Sequence, residues 1–172
     1  MENSKKLNLQ RKANDVRFGI IEGVYNAGCG HPGGSLSIAD VITYLYFEEL
    51  NIDPQNPKME GRDRFVLSKG HCCPALYSAL AIKGYFAEEE LLKLRKLGNM
   101  LQGHPDMKLT PGIDMSTGSL GQGFSAACGM AAVAKRKGLS WNVYTILGDG
   151  EIEEGQVWEA AMFASHYKLD NL

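Results

Sequence analysis

The side chains with the most chemistry to offer sit next to glycines. Three of the four histidines follow one, as Gly30-His31, Gly70-His71 and Gly103-His104, and two of these pairs run into proline in GHPGG and GHPD. An imidazole donates, accepts and titrates near neutral pH, so several converging ones suit proton transfer on a polyhydroxylated or phosphorylated substrate. A single loop histidine, by contrast, is ordinarily a solvated or locally hydrogen-bonded residue, and the spacing here lacks the short paired-ligand pattern of a zinc site. The sharpest signal is LGDGEIEEG at 147–155. Gly-Asp-Gly follows the apolar run NVYTIL directly, which puts Asp149 at the carboxyl end of a strand, where α/β sheets bind ligands. A carboxylate between glycines suits a hard cation such as Mg²⁺ shared with a diphosphate that approaches the backbone closely. An EF-hand is excluded: with Asp149 as the first loop residue, Glu154 falls where glycine is required and Ala160 where the bidentate glutamate belongs. Glu151, Glu153 and Glu154 read in part as the acidic start of a helix, favoured by its dipole.

Two further motifs compete with blander readings. GSLGQG at 118–123 precedes an apolar helix, and its overlapping GQGFSA formally fits a dinucleotide fingerprint. That fingerprint needs an apolar strand immediately before it, and TPGIDMST is not one. The bland alternative is close helix packing, and either way the helix start offers free N–H groups suited to an anion or a ring nitrogen. Cys72 and Cys73 lie beside His71, but no base and orienting group surround them, so they read as small buried hydrophobes. His166 falls in a helix and reads as structural.

These residues need elements to hold them. Leu9, Ala13, Val16, Ile20 and Val24 recur at helical steps, predicting a helix over about Leu7–Asn26. Ser37 resembles the N-cap of a second helix whose core face carries Ile38, Val41, Ile42 and Leu45. Residues 51–63 are polar and turn-rich, a surface loop. DRFVLSKG holds a short buried strand, Pro74 opens a helix running to about Lys83, and EEELLKLRKLG is amphipathic with charges matching a helix dipole. The stretch 98–123 is irregular, Gln122–Lys137 reads as a tightly packed buried helix, NVYTIL is a strand, and Gly155–Lys168 the last helix. Strands alternating with helices predict an α/β fold with a mostly parallel sheet flanked by helices. Two or three strands are few for so many helices, and a strand would normally follow HYKLDNL, so the expectation is a single partial domain over 1–172.

Composition narrows the class. The chain has 172 residues, 18 basic and 20 acidic, for a net charge of −2, which gives no electrostatic case for nucleic acid or an anionic membrane. No apolar run reaches the ~18–20 residues of a membrane span, and the N-terminus lacks a signal-peptide core. Four cysteines form neither a zinc set nor a convincing disulfide framework, pointing to a reduced, cytoplasmic protein. Glycine contributes 20 residues, well above the typical ~7%; with no low-complexity tract to hold them, they belong to ordered turns.

GHPGGSLS, DRFVLSKGH, GHPD, STGSLGQG and LGDGEIEEG, in this order, resemble the N-terminal part of transketolase, most like the separately encoded N-terminal subunit of split forms. The resemblance runs from about Leu9 to Leu172, and the five motifs together are far more specific than GDG alone. It implies an incomplete thiamine-diphosphate-binding fold and transfer of a two-carbon ketol unit from a ketose phosphate to an aldose phosphate, as in the pentose phosphate pathway. The implied cofactors are thiamine diphosphate and Mg²⁺ (or Ca²⁺ or Mn²⁺). Asp149 would ligate the metal and Gly150 contact the diphosphate. His71 would reach the diphosphate and the substrate side, and Gly118 and Leu120 would line the aminopyrimidine and thiazolium. Ser119 replaces a proline common in full-length members. His31 and His104 would face the ketose hydroxyls. Glu154 and Glu159 match a buried acidic network that couples paired sites across a dimer. The family motif continues beyond GDG to an Asn-Asn pair that completes the metal site, and activation of the cofactor needs a glutamate on the pyrimidine domain. The implied partners are therefore a C-terminal subunit or segment carrying that domain and a second copy of the chain, with the isolated chain inactive and binding cofactor weakly or not at all. A related thiamine enzyme of different sugar preference, a non-catalytic assembly module and a generic Mg²⁺–phosphate binder are the alternatives.

Overall fold

The computed structural model describes residues 3–172. They form two compact units: the chain up to Leu50 with His71–Gly103, and Asn51–Gly70 with His104–Leu172.

The first unit is helical. Helix α1 (Asn3–Ala27) buries Ala13, Val16, Gly19, Ile20 and Gly23, the face expected from the apolar spacing. Gly19 on that face lets α4 (Cys73–Lys83) come close: the Ser78 hydroxyl donates to the Val16 carbonyl at 3.0 Å, and a Cβ on Gly19 would collide with that hydroxyl, while Gly23 lies against the Leu91 carbonyl. Every residue of α4 from Cys73 to Ala81 is buried, so this helix is the unit's core, opened by Pro74 and closed by left-handed Gly84. Between them lie the one-turn α2 (Pro32–Leu36) and α3 (Ala39–Tyr44), the latter widening into a π-helical turn over Leu45–Glu49. Ser37 therefore ends α2 instead of capping a long second helix; its hydroxyl donates back to the Gly34 carbonyl at 2.8 Å. Ile38 and Ile42 are buried as expected, while Val41 is exposed. The amphipathic EEELLK segment is a 3-10 turn (Glu88–Lys93), not an α-helix. Burial of Leu91 and Leu94, three apart, needs only that tighter turn, and Glu90 is tied sideways to Lys93 and Asn99.

The second unit carries the sheet. Strands β1 (Arg64–Leu67) and β2 (Val143–Ile146) pair in parallel, Arg64 opposite Val143 through Leu67 opposite Ile146. Helices α5 (Gln122–Lys137) and α6 (Gly155–His166) pack beside them over a core of Val66, Ala127, Cys128, Ala131, Ala134, Trp141, Val143, Ala160 and Leu169. The expected buried helix α5 is buried on one face only; Val133 and Gly129 face solvent. The last helix ends two residues early because Lys168 turns left-handed (φ 50°) and tucks Leu169 into the core. Two stretches expected as loops prove structural. Asp63 is buried and accepts the Asn51 and Asn142 backbone N–H groups at 2.9 and 2.7 Å. Asp114 accepts the Phe65 N–H at 2.8 Å while Thr117 donates to the Leu67 carbonyl at 2.7 Å, so the irregular segment covers the edge of β1 that β2 leaves open.

Glycines allow the turns to stack. A Cβ on Gly123 would lie 2.7 Å from the Ser68 Cα, and one on Gly70 would lie 2.7 Å from the Thr117 carbonyl carbon. Gly129, also on α5, has open space around it. Gly123→Ala is therefore expected to lower unfolding free energy by about 1–3 kcal/mol through overpacking. Gly129→Ala is expected to be neutral or to stabilise by about 0.4–1 kcal/mol. Urea melts of the two variants check this; equal effects would contradict the packing.

Candidate cofactor site

The site residues of the second unit rest on one buried acid, Glu151, whose sequence context suggests no more than a helix start. Glu151 is 2% exposed. Its Oε1 accepts the Ser68 hydroxyl at 2.5 Å and the Gly121 N–H at 2.9 Å, and its Oε2 accepts the Gly148 N–H at 2.9 Å. Ser68 in turn accepts the Phe124 N–H at 3.0 Å. The end of β1, the start of α5 and the turn after β2 are thus joined through one carboxylate. The opening of α5 keeps fewer N–H groups for a ligand than expected: the Gly121 and Phe124 N–H groups donate to Glu151 and Ser68, and the Gln122 N–H donates to the Ser119 carbonyl. The chain supplies its own anion there.

Immediately beyond Gly148, the polypeptide turns outward. Asp149 and Gly150 are exposed, and nothing lies within 4 Å of where a Gly150 Cβ would stand. Lys69 is buried, its aliphatic stem 3.4 Å from the corresponding point on Gly148. Gly118 packs on His104, since a Cβ on Gly118 would meet the imidazole Cδ2 at 2.9 Å. Leu120 is half-buried and Ser119 exposed. The second unit therefore brings His104 to Gly118 and ties the turn before Asp149 to the end of the GSLG segment.

In the first unit, His31 and His71 form an edge-to-face pair with ring centroids 5.0 Å apart. Gly34 makes this approach possible, because a Cβ there would strike the Cys72 Sγ. Glu154 and Glu159, expected in a buried acidic network, are both exposed in this chain. His166 stacks edge-on against Tyr167 at 4.8 Å, a local contact.

A metal fits in part. Asp149 is an exposed carboxylate beside an open glycine, suited to a hard cation that also takes phosphate oxygens. Among the described residues no three His, Cys, Asp or Glu side chains cluster to hold an ion. Nor is Cys73 an activated nucleophile: it donates to the Gly103 carbonyl at 3.2 Å, and burial pushes its thiol up to about 12.

This arrangement, a parallel α/β sheet with Gly-Asp-Gly at one strand end and a glycine-rich turn bound to it, defines a cofactor-binding α/β domain. The chain belongs to the family described as "Transketolase, thiamine diphosphate binding domain", which it matches over residues 9–172. It is 55% identical over 168 residues to the 6-deoxy-6-sulfo-D-fructose transketolase subunit SqwG of Clostridium sp. (strain MSTE9), covering 98% of this chain and 61% of that protein. To an apulose-4-phosphate transketolase subunit of Phocaeicola vulgatus it is 46% identical, covering 96% and 58%. Against human transketolase it is 49% identical, covering 95% of this chain and 26% of the human one. Among solved structures, a Pichia stipitis transketolase mutant in complex with fructose-6-phosphate superposes with a TM-score of 0.92 at 35% identity, and Leishmania mexicana transketolase with 0.89 at 34%; each match covers 95% of this chain and 26% of the other. The chain thus spans about three-fifths of the two bacterial proteins and about a quarter of the human enzyme. No helix among the described residues is long and apolar enough to cross a membrane.

Cys29 is exposed while Cys72, Cys73 and Cys128 are buried thiols. Iodoacetamide at about pH 8, near the ordinary thiol pKa, is expected to label Cys29 alone in the native chain and all four cysteines after denaturation, read by mass spectrometry. Rapid native labelling of Cys72 or Cys73 would contradict their burial.

Proposed function

We propose that this chain is the N-terminal portion of a transketolase and seats thiamine diphosphate with a divalent cation, Mg²⁺ or equivalently Ca²⁺ or Mn²⁺. The reaction it serves is transfer of a two-carbon ketol unit between sugar phosphates in the cytoplasm. The observation that carries this reading is the exposed Asp149-Gly150 turn at the carboxyl end of β2, anchored through Gly148 in a chain of this family. Bound there, thiamine diphosphate would supply the carbanion chemistry that cleaves and forms the C–C bond. Asp149 would hold the cation and Gly150 would let the diphosphate approach. Gly118 and Leu120 would line the ring systems, and His71 would reach the diphosphate. His31 and His104, exposed imidazoles, would hydrogen-bond sugar hydroxyls and carry protons.

Asp149 standing outside any cluster of three ligating side chains among the described residues supports a further ligand source. The names of the Clostridium and Phocaeicola relatives, both called subunits, support a companion chain. The companion would carry the pyrimidine domain, and this chain alone would not turn over. A second copy is the other proposed partner: Trp158 and Met162 of α6 are more than 60% exposed, and Glu159 lies on the same helix. Covering that face would bury Glu159, and with it Glu154, as a coupled acidic pair requires.

Calorimetric titration of the chain with thiamine diphosphate and Mg²⁺ tests the reading. Weak binding is expected of a chain that holds only part of the site, weakened further by at least about tenfold in Asp149→Ala. Equal binding by the variant, or none by the unmutated chain, would contradict it.

A further inference from the structure

We infer that Glu151 is a positioning residue that sets the spacing between the two ends of the cofactor seat. Its two oxygens hold different turns. Oε1 takes the Gly121 N–H, one residue past the Gly118–Leu120 segment, and Oε2 takes the Gly148 N–H, one residue before Asp149. The Ser68 hydroxyl fixes the carboxylate from the side of β1, and Ser68 is itself held by the Phe124 N–H. A carboxylate is rigid across its O–C–O plane, so a shift of one turn is transmitted to the other. Burial sharpens the constraint, because Glu151 and Ser68 are 2% and 0% exposed and water cannot replace a lost donor without opening the packing. Glu151 touches no reacting atom; it acts through Gly118–Leu120 and Asp149, and to that extent its role rests on the cofactor reading above.

Glu151→Gln keeps the size but replaces one acceptor oxygen by an N–H₂ donor, which must face a backbone N–H or the Ser68 hydroxyl. Ser68→Ala leaves the carboxylate and both backbone donors in place while removing its lateral support. The test combines amide-resolved hydrogen exchange on the cofactor-free chain with calorimetric titration by thiamine diphosphate and Mg²⁺. In the unmutated chain the Gly121 and Gly148 amides are expected to exchange slowly. In Glu151→Gln both are expected to speed up together, by about tenfold or more, while the amides of Val143–Ile146 and the interior of α5 stay unchanged. Thiamine diphosphate affinity should fall by about tenfold in the same variant, at a temperature where circular dichroism shows it fully folded. Ser68→Ala should give a smaller change of the same pattern.

Unchanged exchange at Gly121 and Gly148, loss of protection spread over the whole unit, or unchanged cofactor affinity in Glu151→Gln would each overturn the inference. Failure of the unmutated chain to bind would count against the cofactor reading, and the exchange measurement, which needs no cofactor, then decides the role of Glu151 by itself.

Discussion

A carboxylate removed from water costs several kcal/mol unless hydrogen-bond donors replace its hydration. Glu151 is removed almost entirely and replaces its hydration with a hydroxyl and two backbone N–H groups. Those donors come from three segments far apart in sequence: the end of β1, the approach to α5 and the turn after β2. The compensation works only when all three are in place, so the carboxylate makes their relative positions interdependent. Glycines permit it. Gly70 and Gly123 allow the Ser68–Gly70 turn to lie against Thr117 and the first turn of α5, and Gly118 allows His104 to rest on the same segment. The glycines of this region thus serve backbone-to-backbone packing beneath the site, with Gly150 left open above it.

Much of this organisation is legible in the residues. The period of Ala13, Val16 and Ile20 marks α1, Pro74 marks the start of α4, and α5 falls on the expected Gln122–Lys137. The apolar runs before SKG and GDG mark the two parallel strands. Local pattern misleads where tertiary partners override it. EEELLK has helical amphipathicity, yet of its leucines and the one that follows only Leu91 and Leu94 find a core, and a 3-10 turn satisfies them. Asp63 and Asp114 look like loop acids because nothing local marks them as acceptors for backbone N–H groups dozens of residues away. Glu151 is hidden for the same reason. Beside Glu153 and Glu154 it reads as one of three helix-start acids, and only the fold separates the buried one from its exposed neighbours. One signal is available: Glu151 lies two residues from the Asp of Gly-Asp-Gly, too close to a strand end to be assigned to solvent on pattern alone.

The proposed site residues fall in both units. The first holds the paired imidazoles of His31 and His71 on short turns around the buried α4; the second holds His104 against Gly118 and the Asp149 turn on the sheet. In each, a glycine at the point of contact leaves room for an imidazole or its neighbour, a physical reason for glycines to gather around these histidines. The family match covers both units, since it extends from residue 9 to 172.

If the Gly118–Leu120 and Gly148–Gly150 turns form one seat for a single bound molecule, a ligand must perturb both at once. Amide-resolved NMR titration of the chain with thiamine diphosphate and Mg²⁺ tests this most directly. Resonances of both turns are expected to shift together along one binding curve, with the exposed face of α1 unaffected. Shifts confined to one turn, or two curves of different midpoint, would contradict it.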